Sequence, residues 1–175
     1  FFAIRTIFLY NASFKGMYAI HSASVLYKDK AWLFSGHSGA GKSTHTNMWK
    51  ELFNTPVING DLNLIDINTT DGIPVVIGIP WCGTSGIYTS RSYPLGGITF
   101  IKKDITDQVR RIDGDDAVLS IAQRMISPCW NTRLLENNLA ASEKIAAGIT
   151  VFRLCCTKNP SSAFLMKEEI DNEYH

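Results

Sequence analysis

The residues with the most specific chemistry lie in one stretch, Gly36-His37-Ser38-Gly39-Ala40-Gly41-Lys42-Ser43-Thr44. The stretch fits G-x-x-x-x-G-K-[ST], the phosphate-binding loop or Walker A motif. Glycines at 36, 39 and 41 open backbone angles closed to other residues, so successive N–H groups can converge on one concavity. A helix starting at the end of the loop adds unpaired backbone donors and the positive end of its dipole, both of which favour phosphate. Lys42 is expected to reach the β- and γ-phosphates of a nucleoside triphosphate, and the Ser43 hydroxyl to ligate Mg²⁺. The alternative is a glycine-rich turn that only caps a helix, and the flanks speak against it. Ala31-Trp32-Leu33-Phe34-Ser35 reads as a strand before the loop, and Met48, Trp49, Leu52 and Phe53 recur at helical spacing after it.

Phosphoryl transfer is mostly positioning and charge neutralisation, so a kinase needs a carboxylate for Mg²⁺ and a base for the acceptor. Asp61 follows an apolar run that ends in a turn, which suits the metal-binding acid; a plain Asn59-Gly60-Asp61 turn with solvated side chains is the competing reading. His21 lies on the strand before the one that feeds the loop, either near the phosphates and acceptor or as a structural histidine. His37 and His45 are expected to pack or face solvent. Residues 80–94 mix small residues and hydroxyls with Arg91, so Gly83, Thr84 and Arg91 are candidate substrate contacts, with a surface loop and a solvated Arg as the alternative. Asp113, Asp115 and Asp116 lack the spacing and distal Glu of a calcium loop and read as helix-capping residues.

The elements that must position these groups are legible in outline. A helix is predicted over residues 1–15, with Phe1, Ile4, Ile7 and Phe8 on one face and Gly16 as its stop. Met17 to Tyr27 and Ala31 to Phe34 read as strands joined by Lys28-Asp29-Lys30, hence antiparallel neighbours. A helix over 43–53 precedes a short strand at 56–59, then strands at 62–67 and 73–79 around an Asp71-Gly72 hairpin turn. A long loop leads to a strand at 95–101, a helix starting near Asp115 or Asp116, and a helix over 134–147 stopped by Gly148. A strand at 150–155 and a helix over 163–170, capped by Ser161 or Ser162, close the chain. The class is α/β with a mixed sheet.

A length of 175 residues suggests a single domain spanning 1–175, and the start at Phe1 without an initiator Met leads us to expect further residues upstream, either removed or outside this sequence. A net charge of +1 gives no footprint for nucleic acid or an anionic membrane, and no apolar run is long enough to span a bilayer. The 4 cysteines, Cys82, Cys129, Cys155 and Cys156, form no C-x-x-C pair, which fits free thiols in a reducing, cytoplasmic setting.

With His21, the phosphate loop, the turn Val57-Ile58-Asn59-Gly60-Asp61 and the segments Pro80-Trp81-Cys82-Gly83-Thr84-Ser85-Gly86 and Pro94-Leu95-Gly96-Gly97-Ile98-Thr99-Phe100-Ile101 in view, the chain resembles the HPr kinase/phosphorylase family. It is closer still to the small single-domain HPr-kinase-like proteins that share a core with phosphoenolpyruvate carboxykinases. The resemblance runs from about Met17 to Ile105 and more weakly through the helix near 116–126. It implies a carboxykinase-like core with a mixed sheet, and ATP- and Mg²⁺-dependent phosphorylation of a hydroxyl. It also implies that residues 36–44 bind the triphosphate, that Ser43 and Asp61 hold the metal, and that His21, Lys42 and Asp61 act on the reacting groups. The regulatory enzymes of that family carry two adjacent acids at the turn, and here Gly60 stands in place of the first. Their segment for recognising the carrier protein is also missing, so the expected acceptor is another protein, a peptide or a small molecule. A nucleotide-binding regulatory module without catalysis, and a carboxykinase-type enzyme, are the alternatives; homo-oligomerisation is left open.

Overall fold

The computed structural model describes residues 2–127 and 130–174, so the readings made for Phe1 and Cys129 lie outside the described residues. In chain order the elements are α1 (Phe2–Ser13), β1 (Met17–Tyr27), β2 (Lys30–Ser35), α2 (Lys42–Phe53), β3 (Val57–Asn59), β4 (Leu62–Asp66), β5 (Val75–Ile77), β6 (Ser92–Lys103), β7 (Gln108–Ile112), α3 (Gly114–Ala122), α4 (Thr132–Gly148), β8 (Thr150–Cys156) and α5 (Ser161–Asn172). This is an α/β fold built on a mixed sheet in the order β2-β1-β4-β5-β6-β8-β7.

The β1–β2 hairpin turns on Lys28 and Asp29, both with positive φ, as a two-residue turn that matches strand twist requires. β2 then pairs in parallel with β6, so the route β2-β1-β4-β5-β6 returns to its starting strand. Two long strands make this closure possible because each changes partner along its length. β1 pairs β4 through Met17–His21 and β2 through Ser22–Tyr27. β6 pairs β5 at Ser92–Pro94, β2 over Leu95–Phe100 and β8 over Gly97–Lys103.

Alternate residues of β2 enter different cores, which is why its sequence is apolar without alternation. Ala31 and Leu33 join Ile20, Ile98, Ile121 and Ile145 in a core that holds α3 and α4. Trp32 and Phe34 join Val25, Trp49, Met166 and Ile170 in a second core under α2 and α5. A third, smaller core of Leu9, Ala12, Ala19, Leu62, Leu64 and Ile79 seats α1.

Several predicted boundaries shift. β5 is confined to Val75–Ile77 rather than 73–79, because Pro74 lacks an N–H and Gly78 turns its own N–H to Arg91 O at 3.1 Å. β7 is an additional edge strand with mostly exposed side chains. The cap of α3 is Asp113, with Asp115 and Asp116 in its first turn. Pro160, not a serine, precedes α5, and Ser162 Oγ donates to Asn159 O at 2.8 Å. Leu52, placed on the inner face of α2 by its spacing, is exposed, while His45 and Thr46 are buried there instead. Among the described residues no helix is long and apolar enough to cross a membrane.

Candidate functional site

The site forms where β1 changes partner. Asn59 pairs with Ser24 and Leu62 with His21, one continuous register that sets Asp61 across from Ser22 on that flank. Ser22 N accordingly donates to Asp61 O at 3.0 Å. On the opposite flank β2 ends at Ser35, whose hydroxyl donates to His21 O at 2.7 Å, and the chain leaves as the glycine-rich stretch Gly36–Thr44. The place beside β1 that β2 vacates is taken by the segment after α3: His21 N donates to Arg124 O at 2.9 Å, and Met125 bridges to Ile20. His21 therefore sits at a switch point with its backbone bonded from two elements. A crevice at such a point is where ligands enter many open sheets.

Asp61 is presented by a buried Asn. The Asn59 Oδ1 accepts from the N–H groups of Asp61 at 2.9 Å and Leu62 at 3.1 Å, and its Nδ2 donates to Ile79 O at 3.0 Å. The turn is thus locked to the protein interior instead of being solvated, as a plain turn would be. Asp61 Oδ1 lies 2.8 Å from His21 Nε2, with both side chains partly exposed. An ionised carboxylate only accepts, so the proton of a neutral imidazole is on Nε2 and the lone pair is left on Nδ1.

The loop itself takes the strand–loop–helix course. Gly36, Gly39 and Gly41 all have positive φ, and a Cβ on Gly36 would come within 2.7 Å of Ile101 O on β6. Gly41 is the N-cap of α2 and offers no side-chain cap, which leaves the first-turn donors of the helix unclaimed by a side chain. Lys42 Nζ donates to the carbonyls of Gly36 and His37, each at 3.2 Å. Burial pulls the Lys42 pKa down and the charge of Arg124 pushes the same way, while Asp61 opposes them. Three charged groups from three separate stretches of chain therefore converge on the loop.

Two cavities flank this arrangement. Ser43, Thr46, Asn47, Gly60, Asp61, Thr84 and Ser85 line one of about 300 Å³, so the two residues expected to hold a metal share a space with part of the 80–94 loop. Gly39, Gly41, Lys42, Ser43, Thr44, Lys103 and Lys158 line another of about 230 Å³ over the start of α2. The loop closes tightly on the acidic turn. A Cβ on Gly83 would fall 2.9 Å from Asp61 Cγ, and a Cβ on Gly60 would overlap the Ser85 side chain. Tyr88 adds a bridge to Asn59.

The structure brings together His21, Lys42, Ser43, Asp61, Gly83 and Thr84. It does not bring in Arg91, which is exposed at the foot of the loop, just before β6, and lines neither cavity. His37 and Ser38 are exposed on the loop and Ala40 is partly buried there. Among the described residues no group of three or more His, Cys, Asp or Glu side chains could hold a metal, so Asp113, Asp115 and Asp116 form no such site. Cys82, Cys155 and Cys156 are free thiols, and burial pushes the Cys156 thiol up to about 11. Sequence reasoning missed Asn59 and Arg124. A buried Asn two residues before an acid is a readable turn former, whereas nothing local marks Arg124.

No protein-family description matches this chain, and no curated protein matches its sequence. Among solved structures, the chain is similar to the HPr(Ser) kinase/phosphatase from Coxiella burnetii, with a TM-score of 0.42 and 10% identity over 89% of this chain and 95% of that one. A likeness of that size assigns neither residues nor activity.

Proposed function

We propose that the protein binds a nucleoside triphosphate, ATP, at Gly36–Thr44 and transfers its γ-phosphoryl group to a hydroxyl. The observation that carries this reading is the pairing of His21 with Asp61, 2.8 Å apart, where Asp61 shares a cavity with Ser43 of the Gly36–Thr44 loop and lies within electrostatic reach of Lys42. Binding falls to the loop N–H groups, the unclaimed first turn of α2 and Lys42, with Lys103 and Lys158 as further counter-charges.

The donor set fits Mg²⁺: one carboxylate at Asp61 and one hydroxyl at Ser43, to be completed by phosphate oxygens and water, is the sparse, hard-oxygen arrangement that ion takes. When bound, Mg²⁺ supplies charge neutralisation on the β- and γ-phosphates. With Asp61 Oδ1 engaged by Nε2–H, His21 Nδ1 is the base that takes the proton of the attacking hydroxyl. Asp61 holds the ring in that tautomer. The acceptor, a protein or peptide side chain or a small alcohol, enters beside Thr84 and Ser85.

The test is turnover of ATP with magnesium, using water as the basal acceptor. His21→Ala should slow it by about 10²–10⁴-fold, as loss of a general base does, and Asp61→Asn should eliminate magnesium-dependent turnover. Unchanged turnover in both variants would remove the catalytic assignment.

One observation favours a second reading, a nucleotide-binding module that does no chemistry. The space that a second acid at position 60 would need is filled by Ser85. Tight binding of ATP together with no turnover on any hydroxyl would select that reading.

A further inference from the structure

Arg124 belongs to none of the roles described so far, yet its backbone is fixed beside the loop. It lies two residues past the end of α3, and its own N–H donates to Ile121 O at 2.9 Å. Its carbonyl accepts from His21 N at 2.9 Å, and two residues on, Ile126 N donates to Ala19 O at 2.9 Å. The backbone that carries Arg124 is thus an added edge of the sheet at the strand bearing His21.

The side chain reaches across to the loop. Its Nη2 sits 3.1 Å from Nε2 and 3.2 Å from Nδ1 of His37. Near-equal distances from one nitrogen to both ring nitrogens are not those of a single directed hydrogen bond, and the contact is exposed, so no buried partner holds the guanidinium in this position. Among the described residues it has no carboxylate partner, whereas its neighbour Arg153 lies 3.8 Å from Asp116. Arg124 lines a cavity of about 420 Å³ together with Gly36–Ala40, Lys102, Lys103 and Arg153, a space rich in cations. A guanidinium without a carboxylate partner faces the Gly36–Ala40 loop across this cavity and lies near enough to the Lys42 ammonium for like charge to act between them, which an anion bound between them would relieve.

We propose that Arg124 is a catalytic arginine supplied in the same chain: its guanidinium leaves His37, contacts the γ-phosphoryl group of the bound nucleotide and carries negative charge on its oxygens in the transition state. This rests on the nucleoside-triphosphate reading above. In the step, the acceptor oxygen forms its bond to the γ-phosphorus while the bond to the β,γ-bridging oxygen breaks, and that electron pair stays with ADP. The hydroxyl proton goes to His21. Arg124 neither gives nor takes a proton, since guanidinium stays charged, and its planar fork matches the phosphoryl oxygens in a way a lysine cannot.

The test contrasts a ground-state ligand with a mimic of the transferring group in the whole chain. MgADP, alone and with aluminium fluoride, is titrated into wild type, Arg124→Ala and Arg124→Lys, and kcat and KM for ATP hydrolysis are measured alongside. The expected result is MgADP affinity within about threefold of wild type in both variants, with the tightening by aluminium fluoride reduced about 100-fold or more and kcat about 10³-fold lower. Arg124→Lys should recover only a small part. If Arg124→Ala fails to fold, Arg124→Gln, which keeps the stem of the side chain, is held to the same expectation. Equal tightening and equal kcat in wild type and variants would make Arg124 a strut for His37 and overturn the proposal. A wild type that binds MgADP but gains nothing from aluminium fluoride also overturns it. A wild type that binds neither MgATP nor MgADP removes the nucleotide reading itself.

Discussion

Acidification should weaken the seating of α2 through one buried imidazole. His45, in the first turn of that helix, is 1% exposed, and Trp49 Nε1 donates to its Nε2 at 3.2 Å. A nitrogen that accepts carries no proton, so the neutral ring bears its proton on Nδ1, which has no hydrogen-bond partner among the described residues. Protonation would bury a charge and take away the acceptor of Trp49. Burial accordingly pulls the His45 pKa down to about 4, against an upward pull from Asp107. The ordinary value of about 6.5 belongs to the unfolded chain, so the gap corresponds to about 3 kcal/mol at 1.36 kcal/mol per unit. The unfolded state binds the proton more readily, so this stability is fully present above about pH 6.5 and drains away as pH falls towards the folded value. Linkage gives a loss of about 1 kcal/mol at pH 5.5 and about 2–3 kcal/mol at pH 4.5. Urea unfolding of wild type and His45→Leu over this range separates the effect from carboxylates common to both. The variant should be weaker at neutral pH but should lack this slope. Parallel pH profiles for the two proteins would refute the buried-neutral-imidazole argument.

Two further substitutions probe how the 80–94 loop closes on the acidic turn. Gly60→Asp drives a side chain into Ser85, so the loop must lift, and stability should drop by about 1–3 kcal/mol, as overpacking does, with faster proteolysis within residues 82–87. Unchanged stability and cleavage would show that the loop does not rest on Gly60. Gly83→Ala faces left-handed backbone strain of about 1–2 kcal/mol, and its methyl would press on Asp61. It should lower kcat for ATP hydrolysis more than it lowers affinity for MgADP, which steady-state kinetics and calorimetry together report.

How far the sequence could be read depended on whether the deciding interactions were local. The β1–β2 hairpin, the loop and α2 were all legible, because turn chemistry and helical or strand periodicity act over a few residues. Pro74 and Gly78 cut β5 short although their neighbours are apolar, since an absent N–H and a crowded Cα override the pattern. β7 stayed hidden because an edge strand carrying Arg110 and Arg111 faces solvent and shows no apolar repeat. The apolar stripe on α1 was read correctly as helical, yet Ile4 and Ile7 remain exposed, so periodicity gave the element but not its burial. The parallel pairing of β2 with β6 joins residues far apart in the chain, and so does the contact of Arg124 with His37. No spacing rule reports contacts of that kind. The phosphate loop, Asp61 and His21 could be proposed from the sequence, whereas the shared register that joins Asp61 to His21 required the fold.

The central claim is that Gly36–Thr44 holds the polyphosphate of ATP, and calorimetric titration of MgATP into wild type and Lys42→Ala addresses it most directly. Lys42 is partly exposed and bonds only loop carbonyls, so its removal should leave the thermal transition unchanged. The account predicts saturable binding with one nucleotide per chain in wild type, weakened by about 10–100-fold in the folded variant, the cost of a charge-assisted phosphate contact of about 1.5–3 kcal/mol. Equal MgATP affinity in the two folded proteins, or no binding to wild type at millimolar nucleotide, would contradict it.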